Sequence, residues 1–275
     1  MRKKYISAGK LRVHLRLSGY LPVSIFSLFC VYLVYTVYVL ILSGPGRMAV
    51  TNGLLYMMTQ SSSYFLLYTP AMVILLSGLI DMGSYELLIF SRTDTRVKYE
   101  CERISAIVTF VAVCTLCAIF TTTIVYLCVA DSSTRWSDYC VYLRQTGFQM
   151  VHDNMLDASG LLVVTMQVST LMLSFFALGA FMLLLQNLFA KKFVSVIVPL
   201  CVSFAIYLVL SCDLPGWLRQ MLPDVYLFLP YFDSLTHWRI AVLYWIGILT
   251  ILCAGIMLSA KYKDVMYNDY EKEYQ

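Results

Sequence analysis

The chain has 275 residues, of which 60% are hydrophobic and only 13% charged, with a net charge of +4 and a mean hydropathy of +0.75. Soluble domains are about 45–50% apolar and about a quarter charged, so an ordinary soluble protein is excluded. Basic and aromatic residues are not interleaved in any one patch, so no nucleic-acid partner is predicted.

Residues 1–19 carry Arg2, Lys3, Lys4, Lys10, Arg12 and Arg16, with Leu11 and Leu15 one helical turn apart. The pattern predicts a basic amphipathic helix lying on the inner membrane face. A solvated basic tail drawn to anionic lipid is the alternative. The long charged lead, with no small-residue cleavage site after the first apolar run, predicts that this is not a cleaved signal peptide.

Six apolar runs come next, each about long enough for the ~20 helical residues that cross a ~30 Å hydrocarbon layer. The first covers 20–42, with Pro22 where a helix start tolerates it, and Ser43-Gly44-Pro45-Gly46 ends it. Residues 47–63 read as a polar connection. The second run covers 64–82, with Pro70 predicted to kink it. A charged interruption, SYELLIFSRTDTRVKYECER, fills 84–103, and the third run spans 104–130. Residues 131–159 form a sizeable polar loop, and the fourth run covers 160–189. The turn at Lys191-Lys192 is so short that the fourth and fifth spans are predicted to be antiparallel neighbours. The fifth run, 193–211, contains Pro199.

Residues 212–238 are largely apolar but broken by Pro215, Gly216, Pro223 and Pro230. They predict short helices dipping into the outer leaflet, with Trp217, Tyr226, Tyr231 and Trp238 suited to the interface. An ordinary folded outer loop is the alternative. The sixth run covers 239–260, and a polar tail closes the chain. With the N-terminus inside, the outer segments hold only Arg47, Arg135, Arg144, Arg219 and Arg239 of the twenty Lys and Arg residues. Both termini are therefore predicted to be cytoplasmic. The predicted fold is an all-α polytopic bundle of six spans in a single domain over 1–275, placed in the cell membrane.

Catalytic chemistry is missing from these spans. Ionisable groups at membrane depth are costly and mark function, yet the runs hold almost none, and no HExxH, GxSxG or GxxxxGK[ST] pattern occurs. No enzyme activity, no ATP hydrolysis by this chain and no metal site are predicted; a surface-loop histidine is preferred to an outer metal site for His152 with Asp153 and Asp157. Nine cysteines, an odd number lying mostly in apolar runs, argue against a disulfide framework. Cys140 and Cys212 both fall on the outer side and are the pair placed to meet. Neutral polar residues stand where charges do not: Thr121, Thr122, Thr165 and Gln167 are candidates to line a path. Helix–helix hydrogen bonding is the competing reading. Gly255 and Ser259 read as a close-packing pair.

Within the charged stretch, Ser91 with Asp94 fits a helix-capping box. Arg96 with Glu100, and Lys98 with Glu102, are i, i+4 pairs on a helix running into the third span. Tyr85, Leu87, Leu88, Ile89 and Phe90 form an apolar patch ahead of it. The segment suits either a docking surface for a soluble partner or a solvated loop obeying charge asymmetry.

The six spans, the basic N-terminal helix, the phrase FSRTDTRVKYECERIS between spans two and three, and the broken hairpin DLPGWLRQMLPDVYLFLPYF together resemble the ABC-2-type permeases. These are membrane subunits of bacterial ATP-binding-cassette exporters. The resemblance implies a transmembrane subunit exporting a peptide, lipid or hydrophobic drug. It implies pairing with a second permease subunit, identical or not, and with separate ABC ATPase subunits that bind ATP and Mg. It also implies that Glu86, Arg92, Asp94 and Arg96 belong to a coupling segment seated on the ATPase. The alternative is a non-transporting membrane sensor or assembly scaffold that binds a cytoplasmic partner through 84–103.

Overall fold

The computed structural model describes residues 22–38, 50–59, 63–80, 96–129, 152–155, 158–189, 192–210, 212, 215–220 and 222–273. All regular structure among them is helical. The helices are α1 (Pro22–Tyr38), α2 (Val50–Thr59), α3 (Thr69–Ile80), α4 (Arg96–Val129), α5 (Gly160–Phe189), α6 (Lys192–Leu210), α7 (Gly216–Arg219) and α8 (Leu235–Glu273). Short 3-10 turns cover Asp153–Met155, Pro223–Tyr226 and Leu229–Tyr231.

Four helices are long and apolar enough to cross a membrane: Arg96–Cys128, Gly160–Phe189, Phe193–Leu210 and Leu235–Tyr262. The first two predicted spans correspond to shorter apolar helices, Pro22–Tyr38 and Tyr64–Ile80. The predicted amphipathic helix at 1–19, Cys140 and most of the charged stretch lie outside the described residues.

The centre of the bundle is α5, which packs against α2, α3, α4, α6 and α8. Its membrane-length window is 56% buried, against 17% for α6 and for α8. The cause is composition. Ser169, Thr170, Ser174, Ala177, Gly179 and Ala180 are small, so neighbouring backbones approach closely, and most of these residues are buried. Hydroxyls in the apolar helices donate back to their own backbone, as Thr121 does to Cys117 O (2.8 Å) and Ser174 to Leu171 O (2.8 Å). Polarity is thereby tolerated at depth.

One expectation changes, and two further features appear. The connection 47–63 is not merely polar: it contains α2, whose Leu54, Leu55 and Met58 are buried at helical spacing against α5 and α4. Ahead of Pro70 the helix widens into a π turn over Tyr64–Tyr68, with the Thr69 N–H donating to Tyr64 O. A proline ring crowds the carbonyl four residues back, and the wider turn is the local response. Finally, the tail after 260 does not leave the helix, because nothing in KYKDVMYNDYEKE breaks it. The 39 residues of α8 at about 1.5 Å each outrun a ~30 Å hydrocarbon layer.

Candidate functional site

The segment between α6 and α8, the hairpin, is built of the short helices expected from its prolines. Side chains of α5 and α8 hold it by its backbone. Gln167 Nε2 and Thr170 Oγ1 both donate to Leu227 O, at 3.0 and 3.1 Å. Trp245 Nε1 donates to Tyr226 O at 2.9 Å, and Trp238 Nε1 to Ser169 Oγ at 3.2 Å. Phe228 is buried edge-on against Tyr64 and Phe65, with ring centroids 5.7 and 6.3 Å away. Tyr226 stacks on Tyr244 at 4.2 Å. Two carbonyls of this irregular backbone, Tyr226 O and Leu227 O, are thus satisfied by side chains of the bundle. Trp217, by contrast, is 65% exposed at the hairpin surface.

Asp224 sits in this hairpin at 1% exposure, and neither carboxylate oxygen receives a hydrogen bond of full geometry. Burial pushes its pKa above the usual 3.8; the Val225 amide, the Arg219 charge and the neighbouring Tyr231 hydroxyl oppose that shift. An acid with a raised folded-state pKa keeps its proton more tightly when folded. Its contribution to stability is therefore lost as pH rises above the ordinary value and through the folded one. Asp224→Asn is expected to flatten this decline and to be more stable than the parent near neutral pH, measured as thermal midpoints across a pH series. A parent whose midpoint rises with pH over that range, or an Asn variant less stable than the parent, would contradict the assignment. At the start of α8, the Ser234 hydroxyl, followed by His237 (3.2 Å), holds the exposed Asp233 carboxyl below its usual range.

Beneath the hairpin, α3, α5, α6 and α8 enclose a cleft of about 260 Å³. Phe65, Ala177, Phe181, Val202, Trp245 and Leu252 give it an apolar lining. Pro223 and Leu227 form its roof. Its few hydroxyls are mostly engaged: Tyr64 donates to Ser174 Oγ at 2.9 Å and Ser203 to Phe65 O at 3.4 Å. Thr69 Oγ1 makes no hydrogen bond.

The opposite end of α5 carries a buried ionic knot. Arg103 Nη1 donates to Glu100 Oε1 at 3.2 Å and to Asn187 Oδ1 at 3.4 Å. Its Nη2 donates to Ile80 O at 2.8 Å and to Gln186 Oε1 at 3.5 Å. The guanidinium also lies over the Tyr99 ring, 5.5 Å from its centroid. Glu100 and Arg103 are 1% and 3% exposed. One side chain therefore joins the end of α3, the start of α4 and the end of α5. A cation beside the last carbonyls of α3 is also favoured by that helix's dipole.

The residues singled out from the sequence are dispersed. Glu86, Arg92 and Asp94 lie outside the described residues, while Arg96 opens α4. Thr121 and Thr122 are buried in α4, Gln167 is buried under the hairpin, and Thr165 is exposed with its hydroxyl on Leu161 O (2.8 Å). None of these four lines the cleft. His152 is half-buried and accepts from the Asn154 N–H at 3.3 Å. Among the described residues no group of three or more His, Cys, Asp and Glu could hold a metal ion. The arrangement combines an apolar cleft at one end of α5 with a polar tie between helices at the other. The knot was unassigned in the sequence although its parts were visible: an Arg at a span end and a Gln186-Asn187 pair at another. Comparison with models of known families, with curated proteins and with solved structures finds no match.

Proposed function

We propose that the chain is the transmembrane subunit of an ABC exporter in the cell membrane, moving a peptide, lipid or hydrophobic drug with ATP hydrolysed by a separate partner. The observation that carries this reading is the Arg103 knot. It ties the start of α4, which is the last part of the charged stretch 84–103, to the ends of α3 and α5. A displacement imposed on 84–103 by a soluble partner would move three helices together, and α5 reaches the hairpin and the cleft at its other end. Packed elements pass on such shifts as rigid bodies. The absence of a phosphate loop from the sequence makes an external source of ATP energy the natural complement.

The test is purification of the tagged full chain from the cells that express it naturally, followed by assay of ATP turnover in the purified sample. A co-purifying ATPase whose turnover falls when Arg92 and Arg96 are both reversed to Glu is expected. Unchanged assembly and turnover in the reversed chain would remove the docking role. A bound partner with no ATP turnover would favour the sensor or scaffold reading instead.

A further inference from the structure

The cleft under the hairpin has a geometry that points to an occupant independently of any transport function. Its two flanking helices, α6 and α8, each pack on α5 but barely on one another. The cleft is therefore open sideways, with Val202 and Ile206 on one lip and Ile248 and Leu252 on the other. Both helices are long and apolar enough to cross a membrane, and Val202 is exposed. Where such helices cross a membrane, a mouth between them opens onto hydrocarbon. Trp245 lies ten residues into α8, about 15 Å along the helix, inside its membrane-length apolar part Leu235–Tyr262.

The interior is suited neither to water nor to a polar head group. A buried water needs about two to four polar partners, whereas the hydroxyls of Tyr64, Ser174 and Ser203 are engaged within the wall. The Trp245 N–H is likewise committed to Tyr226 O. Only Thr69 Oγ1 remains without a bond. An empty apolar space of this size forfeits packing contacts. We propose that the cleft is a binding site for one hydrocarbon chain of a bilayer phospholipid, admitted sideways between α6 and α8. The hairpin roof at Pro223 and Leu227 limits how far the chain rises, and the head group stays outside.

The test uses the full chain reconstituted in phosphatidylcholine vesicles, with bromine at the middle of the acyl chains. Bromine quenches tryptophan only near contact, and Trp245 is 6% exposed, shielded from lipid that merely surrounds the protein. Trp136, Trp217 and Trp238 are replaced by Phe so that Trp245 alone reports. Its emission is expected to fall strongly in brominated vesicles relative to plain ones. Val202→Phe, an exposed change that fills the mouth, is expected to restore most of it. Equal emission in the two lipids would overturn the proposal, leaving the cleft to a second copy or to another part of the chain. Quenching indifferent to Val202→Phe would overturn it too. Should the single-tryptophan chain fail to fold, the difference between the parent and Trp245→Phe gives the same readout.

Discussion

Replacing Arg103 with Met is expected to destabilise the protein by about 3–5 kcal/mol, the range for removing one partner of a buried ion pair. Glu100 would be left as an uncompensated buried carboxylate, and Ile80 O would lose the donor now 2.8 Å away. The measurement is unfolding in detergent, followed by loss of helical signal or by denaturant titration. The double variant with Glu100→Gln is expected to recover a substantial part of the loss, because much of the cost lies in the orphaned charge rather than in the absent attraction. A single variant within about 1 kcal/mol of the parent would show that the knot is solvated or readily rearranged.

The second large effect is steric. A Cβ at Gly179 would stand 2.5 Å from Ile107 Cγ2 and 3.6 Å from Leu76 Cδ1. Ile107 is buried in α4, and a β-branched side chain in a helix has little rotameric escape. Gly179→Val is expected to cost about 1–3 kcal/mol by overpacking the place where α3, α4 and α5 converge. Adding Ile107→Ala should return part of that stability. Gly247, where an added Cβ meets nothing within 4 Å, supplies the control. There Ala is expected to be neutral or to gain up to about 1 kcal/mol from helix propensity. A Gly179 variant as stable as the Gly247 one would refute the close approach. At Gly255, read from sequence as a packing position, the added atom would meet Leu184 at 3.4 Å. A smaller penalty is expected there.

Long apolar runs could be located closely from the sequence because a buried backbone must close its own hydrogen bonds, and only helices do so along a single segment. The fourth run and α5 share the bounds 160–189. The prolines of 212–238 likewise foretold short helices. What failed was finer. The apolar face of α2, made by Leu54, Leu55 and Met58, is only ten residues long and sits among polar neighbours. Thr165 and Gln167 looked alike as polar residues of one span. Two positions along a helix turn by about 200°, and one is exposed while the other is fully buried. The Arg103 knot unites residues more than eighty positions apart, a tertiary fact that no local pattern encodes. Asp224 drew no notice beside the prolines, because its burial comes from how the hairpin docks.

The π turn at Tyr64–Tyr68 makes this part of the chain sensitive to residue count as well as residue identity. Each residue advances an α-helix by about 100°, so a turn holding one extra residue resets the phase between the segments on its two sides. Tyr64 on one side of that offset reaches Ser174, and Ser63 just before it shares a hydrogen bond with Tyr35 of α1. Met72, Leu76 and Ile80 beyond it keep their own buried face. Deleting a single residue within the turn would let a regular α-helix form locally, yet would swing the upstream tyrosine and its tether away from their partners. Register across this turn is thus set by the number of residues between Ser63 and Thr69 as well as by their identities.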